Sequence, residues 1–464
     1  MLASGAGFGD NRRMSGHIFT RRRLLGGLAA GLAMPALVTA ARAAQPLDAV
    51  GDFGLDPNDQ SDQSSKLQAA FDAAAGDGRL LLLPGGHAGF AVSKLTIPDG
   101  LHVIGLQTIL TTPGDARLAL ISGAFAVSIE GLVFQANAPE TAAGVNGLVE
   151  IENSSGISFR RCGFFNAAGN GIAATNAALT VEDCDFEGAS AAAIHSQNGQ
   201  GFVIRGNRIT GADNAGIRIW RDSPGPDGTL VSGNQIRKID WKDGGNGQNG
   251  NGVSIYNADE VIVADNRISD CAFSAVRINS GKNCQIRGNI CLGSGETAIY
   301  SEFAFSGSVI ADNTVDGAAT GIAVTNMDQG GHLATVSGNI VRNIAPHSAT
   351  NPDAQPVGIY AEADVVVSGN SVDTVPGAGI VAGFGPYVRN VVVADNLVTN
   401  AMIGIGVSVV QQQSPGPVRV SGNLVSSAQQ GIVGMEWSKV VSPDLAKDAK
   451  RYPNVTVDGN TVSR

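Results

Sequence analysis

The sequence predicts an all-β fold: a single-stranded parallel β-helix of about 13 rungs, closed at its N-terminal end by a capping helix. One observation is a short phrase, aliphatic-x-Gly/Asp-Asn, which occurs ten times between Ile204 and Asn460. Another is a second phrase, Gly-Ile-x-aliphatic, which follows most of these asparagines after nine or ten residues, as at 216–219. Each phrase alternates with period two, which is typical of a half-buried strand. Successive copies are therefore expected to pair in parallel around one axis.

The asparagine of the first phrase is expected at a bend, where its amide bonds to its equivalents in the rungs above and below. We predict a structural role for this column. Cys162 and Cys184 occupy the same position in two earlier rungs. Two buried thiols are the favoured interpretation of that pair, although strand spacing also permits a disulfide. The ladder asparagines are Asn207, Asn234, Asn266, Asn289, Asn313, Asn339, Asn370, Asn396, Asn423 and Asn460.

The first 43 residues resemble a twin-arginine (Tat) signal peptide. Arg21 and Arg22 precede a short apolar stretch, and 41–43 forms a small-x-small cleavage site. A membrane anchor is the alternative, but the stretch is short and rich in Gly and Ala. We therefore expect the Tat translocase as a partner during export, no stable membrane span after cleavage, and a periplasmic or secreted location. The remaining chain divides into an N-terminal cap at 44–100 and a β-helix at 101–464, with a capping insertion at 436–454.

Charge argues against several classes of partner. The whole chain carries a formal charge of −10, and residues 1–43 hold six basic residues and one acidic residue. The mature chain is therefore near −15, which disfavours nucleic acid or an anionic membrane surface as the main partner. The 62 glycines suit a chain that bends every few residues.

The variable position of Gly-Ile-x-aliphatic points outward, as does the residue two positions later. In the middle rungs these positions are rich in arginine, aromatic and acidic side chains, and two insertions, 237–251 and 342–357, are expected to wall them. Aromatic rings suit sugar faces, arginine suits a uronate carboxylate, and carboxyl or phenol groups suit acid–base chemistry. The alternative is a solvated sheet face with cross-strand pairs. The candidate binding residues are Arg218, Trp220, Tyr256 and Asn279, and the candidate catalytic residues are Arg277, Tyr300, Glu302 and Glu296.

The segment before the repeats resembles the start of pectate-lyase-superfamily right-handed β-helices, which include the polygalacturonases. It contains Val50-Gly-Asp-Phe-Gly-Leu, a predicted helix with Leu67, Ala70, Phe71 and Ala74 on its apolar face, and Leu80-Leu-Leu-Leu-Pro-Gly-Gly. The resemblance implies a right-handed coil whose end is covered by that helix. Together with the signal, the repeats also resemble a family of twin-arginine-exported repeat proteins.

The polygalacturonase motifs are replaced or missing. Asn-Thr-Asp, Asp-Asp and His-Gly do not occur, and Arg277-Ile278-Asn279 stands where Arg-Ile-Lys would. Glu296 lies where the Asp-Asp pair would. The outward stripe of the middle rungs therefore predicts an exported protein that binds, and in one interpretation processes, a polysaccharide, with an acidic polysaccharide as the expected substrate class. Hydrolase, lyase and epimerase chemistry all stay open, and a non-catalytic structural or adhesive rod is the alternative. No metal site and no cofactor are predicted.

Overall fold

The computed structural model describes residues 45–85, 89–112, 117–137, 146–325, 329–410 and 416–463. These residues form a right-handed parallel β-solenoid of about 13 turns, which confirms the predicted fold class. The signal segment 1–43 lies outside the described residues, so the export route stays a prediction. None of the helices in the described ranges combines the length and apolarity needed to cross a bilayer.

The described residues contain few helices. They are α1 (Ala49–Phe53), α2 (Ser64–Asp77) and α3 (Leu445–Asp448), with 3-10 turns at Gly385–Tyr387 and Ala449–Arg451. In chain order the strands of the described residues are β1 (Leu47–Asp48), β2 (Leu80–Leu83), β3 (Phe90–Ala91), β4 (Leu95–Thr96), β5 (His102–Thr112), β6 (Ala119–Ser122), β7 (Ser128–Ala136), β8 (Gly147–Glu152), β9 (Ile157–Arg160), β10 (Gly163–Phe165), β11 (Asn170–Thr175), β12 (Leu179–Glu182), β13 (Asp185–Glu187), β14 (Ala192–Gln197), β15 (Val203–Arg205), β16 (Arg208–Thr210), β17 (Ala215–Pro226), β18 (Leu230–Ser232), β19 (Gln235–Ile239), β20 (Asn251–Asp259), β21 (Ile262–Ala264), β22 (Arg267–Cys271), β23 (Val276–Asn279), β24 (Gln285–Arg287), β25 (Ile290–Glu302), β26 (Ser306–Ala311), β27 (Thr314–Thr325), β28 (His332–Ser337), β29 (Ile340–Arg342), β30 (Val357–Ala361), β31 (Val365–Ser368), β32 (Ser371–Ala382), β33 (Val391–Ala394), β34 (Leu397–Ser408), β35 (Val418–Ser421), β36 (Leu424–Ser426), β37 (Gln430–Glu436), β38 (Lys439–Ser442), β39 (Val455–Asp458) and β40 (Thr461–Ser463).

The strands pair in parallel in three rows along the tube axis. Sheet 1 contains the strands that precede the ladder positions, such as β15, β18 and β21. Sheet 2 contains the strands that follow them, such as β16, β19 and β22. Sheet 3 contains the Gly-Ile-x-aliphatic strands, such as β17, β20 and β23. Four strands run without a break from sheet 2 into sheet 3 and are therefore long: β25, β27, β32 and β34.

The bend between sheets 1 and 2 explains the first repeated phrase. The residue before each ladder asparagine has a positive φ, as at Gly206 (68°) and Asp265 (57°). Glycine adopts this left-handed conformation without steric cost, and aspartate tolerates it. The asparagine that follows can then direct its side-chain amide along the column of asparagines. From Asn234 onward, each asparagine accepts bonds from the backbone N–H and the side-chain Nδ2 of the asparagine one rung earlier, at 2.9 Å each between Asn207 and Asn234.

The cysteines of the early rungs continue this column. The Cys184 amide donates to Asn207 Oδ1 at 2.9 Å, and the Cys162 amide donates to Cys184 Sγ at 3.4 Å. Both residues are buried free thiols, in agreement with the favoured interpretation of the pair. A sulfur atom is a weaker acceptor than an amide oxygen, so the ladder is strongest from Asn207 onward.

The second repeated phrase has a steric origin. A Cβ on Gly358 would lie 2.5 Å from the carbonyl oxygen of Gly379 and 2.5 Å from Val372 Cγ1. Neighbouring rungs have the same close approach, because Gly321 faces Gly358 in the same way. Glycine is therefore required at this position in these rungs, and the isoleucine that follows it points into the tube.

The N-terminal cap contains two helices rather than the single predicted helix. Asp48 caps α1 by accepting from the Val50 amide, and Gly54 ends it in the left-handed conformation. In α2 the buried face consists of the four predicted residues, Leu67, Ala70, Phe71 and Ala74. Burying a side chain as large as that of Leu67 or Phe71 stabilises the fold by roughly 1.5–3 kcal/mol. At the other end, α3 lies within the predicted capping insertion, and its Leu445 is fully buried.

Candidate functional site

The outward residues of sheet 3 form two columns in the predicted register. One column runs from His195 through Arg218, Ser254 and Arg277 to Tyr300. The second runs beside it and contains, in order, Gln197, Trp220, Tyr256, Asn279 and Glu302. Parallel pairing without a register shift at these positions brings side chains from distant parts of the sequence to one face of the tube.

A cleft of about 540 Å³ opens on this face. It contains seven of the eight candidate site residues, and Arg218 is the candidate that lies outside its lining. Within the described ranges the lining residues are Trp220, Asn246, Gly247, Gln248, Ser254, Ile255, Tyr256, Arg277, Asn279, Glu296, Tyr300, Glu302, Phe303 and Asn351.

The two insertions wall the cleft. The 237–251 insertion contributes Asn246, Gly247 and Gln248, and the 342–357 insertion contributes Asn351. Sequence reasoning located both insertions but did not name these residues. The run Gly244–Asn251 is rich in glycine and amide side chains, which is a signal for a polar binding loop that was available in the sequence.

Arg277 lies at the centre of the cleft floor and bonds to two carboxylates. Its Nε and Nη2 donate to Glu302 at 2.7 and 3.0 Å, which is a bidentate pair. Its Nη1 donates to Glu296 Oε2 at 3.1 Å. The side chains of Arg277, Glu296 and Glu302 are only 12%, 4% and 5% exposed. The cluster is therefore a largely desolvated trio in which one cation faces two anions.

Glu296 reaches this trio because of a local irregularity. The register between β25 and β27 shifts between Ser294 and Thr297, which is the segment that contains Glu296. Such irregularities re-aim side chains relative to a regular strand. Glu296 is therefore brought beside Arg277 although it does not belong to either outward column.

The 342–357 insertion packs over Glu296. Asn351 Nδ2 donates to Glu296 Oε1 at 2.7 Å. The same segment is anchored by Ser348 Oγ on the carbonyl of Gly295 at 2.6 Å and by Thr350 Oγ1 on the carbonyl of Ala272 at 2.9 Å. Both oxygens of Glu296 therefore have a partner, one from sheet 3 and one from the insertion.

Burial and charge shift the pKa values of this cluster. Burial, reinforced by Glu296, raises the pKa of Glu302 although Arg277 acts in the opposite direction. Burial opposes the charged form of Arg277, but the two carboxylates outweigh it and raise the pKa of Arg277. Burial and Glu302 raise the pKa of Tyr300 to about 12, so this phenol stays protonated at neutral pH. Glu302 therefore holds a proton more readily than an ordinary glutamate, because its charged form is buried beside a second carboxylate.

Aromatic rings form one side of the cleft. Trp220 and Tyr256 meet edge to face with centroids 6.3 Å apart, and Trp220 Nε1 donates to Ser254 Oγ at 3.0 Å. Tyr256 is 44% exposed, so much of its ring faces solvent. His195 packs against Trp220 from the preceding rung, and burial together with Arg218 lowers the pKa of His195 to about 4. That imidazole is neutral at pH 7 and supports the tryptophan.

Arg277 was expected to hold a uronate carboxylate. In the structure three of its five N–H donors bond to Glu302 and Glu296, so its charge is already compensated within the protein. Arg218 was expected to do the same, but its guanidinium lies 4.9 Å from the Trp220 ring centroid and donates to Asn249 at 2.7 Å. Within the part of the chain that the structure describes, no cluster of three or more His, Cys, Asp or Glu side chains is arranged to hold a metal ion.

Comparison with solved structures gives fold-level similarity at low identity. PfbA, a surface adhesin of Streptococcus pneumoniae, is 14% identical with a TM-score of 0.47, over 86% of this chain and 94% of that chain. A hyperthermoactive exopolygalacturonase from Thermotoga maritima is 9% identical with a TM-score of 0.40, over 90% and 92%. A mannuronic acid specific polysaccharide family 6 lyase from human gut microbiota is 13% identical with a TM-score of 0.44, over 85% and 94%.

None of the curated proteins matches the chain by sequence. The family described as right handed beta helix region matches residues 119–236 and 225–386, which together make up more than half of the chain. The repeated strands, the asparagine ladder and this match agree, and the chain belongs to the right-handed β-helix family.

Proposed function

We propose that the cleft binds a polysaccharide and hydrolyses a glycosidic bond in it. One observation carries the proposal: an aromatic pair, Trp220 and Tyr256, shares a cleft with two buried carboxyl groups, Glu296 and Glu302. The lining is otherwise made mainly of amides and hydroxyl groups. The cleft therefore offers both the surface that holds a sugar and the groups that act on it.

Binding follows from the chemistry of the lining. Sugars have apolar C–H faces and many hydroxyl groups. The exposed ring of Tyr256, next to Trp220, supplies a flat apolar surface at low entropic cost. Asn246 and Gln248 belong to an exposed part of the first insertion, where their side-chain amides are placed to donate to and accept from hydroxyl groups.

The carboxyl pair suits acid–base hydrolysis. Glycoside hydrolysis needs one carboxylic acid to protonate the leaving oxygen and a second carboxylate to act on water or on the sugar. Glu302 is the candidate acid because its pKa is raised and it holds a proton more readily than an ordinary glutamate. Glu296 is the candidate second carboxylate, held in place by Arg277 and Asn351. Both groups must loosen from Arg277 when substrate binds.

A second function, binding without turnover, is favoured by one observation. Arg277 and Asn351 already occupy both oxygens of Glu296, and Arg277 is bidentate to Glu302. A cluster of this kind also suits a rigid floor beneath a bound glycan. The two functions differ in one measurable result, since hydrolysis releases reducing ends and binding alone does not.

Replacing Glu302 by glutamine separates the two functions. The amide keeps the shape of the side chain but cannot donate an acidic proton, so we expect hydrolysis to slow by roughly a hundredfold or more while glycan binding is retained. In the parent protein the rate is expected to fall as pH rises through the raised pKa of Glu302, because the proton donor is lost. Reducing-end release across a panel of polysaccharides is the measurement.

Glu187→Gln is the matched control, since Glu187 is exposed in β13 of sheet 2. It should leave the rate unchanged. Glycans that bind without any release of reducing ends would support the non-catalytic function. An unchanged rate in the Glu302→Gln protein would exclude the assigned acid.

Replacing Tyr256 by alanine tests the aromatic surface. Loss of an exposed stacking ring is expected to weaken glycan binding by roughly tenfold, which corresponds to about 1.4 kcal/mol. Folding should be unaffected because the ring is 44% exposed. Isothermal titration with the bound glycan measures the change, and Phe125→Ala, which removes a 63% exposed ring in an early rung, is the control. Equal affinities for the two variants would contradict the binding surface.

A further inference from the structure

We propose that the cleft selects uncharged sugars and discriminates against uronates, a conclusion about substrate class that rests on the proposed function. The inference comes from the charge of the lining. Glu296 and Glu302 are the acidic groups there, and Arg277 is the basic group, while the remaining lining residues of the described chain are neutral. A bound uronate would bring a further negative charge to this floor.

Arg277 offsets little of that charge, because its own positive charge is already balanced by Glu302 and Glu296, to which three of its five N–H donors are bonded. It is also covered from the side of the first insertion. A Cβ on Gly247 would lie 1.8 Å from Arg277 Nη1, so the Gly247 backbone sits directly against the guanidinium. Tyr300 packs on another side, with the guanidinium carbon 4.9 Å from the ring centroid. The guanidinium is therefore enclosed by Gly247, Tyr300 and the two carboxylates, and only 12% of the Arg277 side chain is exposed.

Arg218 does not supply the missing cation. It lies beside Trp220 rather than in the cleft lining, and its Nη2 donates to Asn249 at 2.7 Å. Asp243 is close enough to interact with its charge. The charged groups of the described lining are therefore Arg277, Glu296 and Glu302. Their net charge is zero when the two carboxyl groups together hold one proton and negative when they hold none. Neither state attracts an anionic sugar.

Matched polymers with one backbone and different charge test the selection. Suitable pairs are polygalacturonate with its full methyl ester, alginate with its propylene glycol ester, and carboxymethylcellulose with hydroxyethylcellulose. For any pair that binds, we expect the uncharged polymer to bind at least roughly tenfold more tightly at low ionic strength. The difference should shrink as salt is added, since salt screens the repulsion. Titration of the full chain against both members of each pair is the measurement.

A charge placed in the cleft should reverse the preference. Asn246 is exposed and lines the cleft, so Asn246→Arg is expected to strengthen binding of the charged polymer by roughly tenfold, again in a salt-dependent way. Because Asn246 also belongs to the sugar-binding lining, the readout is the ratio of the affinity for the charged polymer to the affinity for the uncharged polymer. Gln60→Arg adds the same charge at an exposed position in the N-terminal cap and should alter neither affinity.

The outcomes separate this inference from the proposed function. Equal or tighter binding of the charged polymer by the parent protein overturns the selection while leaving glycan binding intact. A preference that Gln60→Arg changes as much as Asn246→Arg overturns it as well, because the effect would then come from net charge. Absence of binding to any polymer overturns the proposed function, and this inference falls with it.

Discussion

Replacing Asn289 by alanine is expected to lower the free energy of unfolding by roughly 2–6 kcal/mol, since each buried polar group left without a partner costs about 1–3 kcal/mol. Asn289 is 1% exposed. Its Oδ1 accepts from the backbone amide and Nδ2 of Asn266 at 3.0 and 2.9 Å. Its Nδ2 donates to Asn313 Oδ1 at 3.0 Å and to the Val263 carbonyl at 2.9 Å. Alanine removes all four of these bonds and admits no water to replace them.

Denaturant unfolding followed by circular dichroism measures this loss. Asn460→Ala is the control, because Asn460 ends the column and is only part-buried, so water can replace its bonds. We expect a clearly smaller loss there. Asn289→Cys should cost less than Asn289→Ala, since cysteine holds the same position at Cys184 and its sulfur accepts a backbone N–H. A single buried polar group without a partner should cost more than about 1 kcal/mol. If Asn289→Ala lowered the free energy of unfolding by less than that, the stabilising role assigned to the asparagine ladder would be wrong.

Replacing Arg277 by alanine is expected to lower the free energy of unfolding by about 3–5 kcal/mol, the usual cost of leaving a buried charge without its partner. Two carboxylates, on side chains only 4% and 5% exposed, would lose their shared cation. The pKa of Glu302 in the folded state, already raised by burial, should then rise further because Arg277 no longer lowers it, so the folded protein takes up a proton that the unfolded chain does not. The deficit is therefore largest at neutral pH and shrinks as pH falls toward the ordinary glutamate value of 4.5.

Arg208→Ala is the matched control for this experiment. Arg208 pairs with Asp185 at 3.5 Å, but the two side chains are 61% and 53% exposed. A surface pair of this kind contributes about 0–1 kcal/mol. A double variant, Arg277→Ala with Glu302→Gln, should recover part of the lost stability because one unpaired charge is removed. If Arg277→Ala were no more destabilising than Arg208→Ala, the trio would not be the buried cluster described above.

These two experiments also bear on function. The ladder holds the rungs in register, and register places Trp220, Tyr256 and Glu302 in one column. The Arg277 trio then holds the carboxyl groups in a desolvated floor, where burial raises the pKa of Glu302. Loss of the ladder should therefore impair binding through unfolding, whereas loss of Arg277 should alter the pH dependence of the site in protein that is still folded.

Much of the site followed from the repeats alone. Equivalent residues of a parallel coil stack in columns, so the order His195, Arg218, Ser254, Arg277 and Tyr300 was predictable from spacing. The same reasoning predicted the asparagine column and the buried face of α2. These features depend on local periodicity, which a sequence displays directly.

The tertiary structure determined which contacts the outward side chains of sheet 3 make. The insertion residues Asn246 and Asn351 have no periodic neighbour, so their position over the cleft depends on how each loop folds back. Glu296 entered the floor through a register shift that no repeat encodes. The sequence displays the charges of Arg277, Glu296 and Glu302, but which donor meets which oxygen depends on distances of a few tenths of an ångström in the folded protein. Those distances place Arg277 in an ion cluster with Glu302 and Glu296, where three of its five N–H donors are bonded and its charge is compensated within the protein before any uronate arrives.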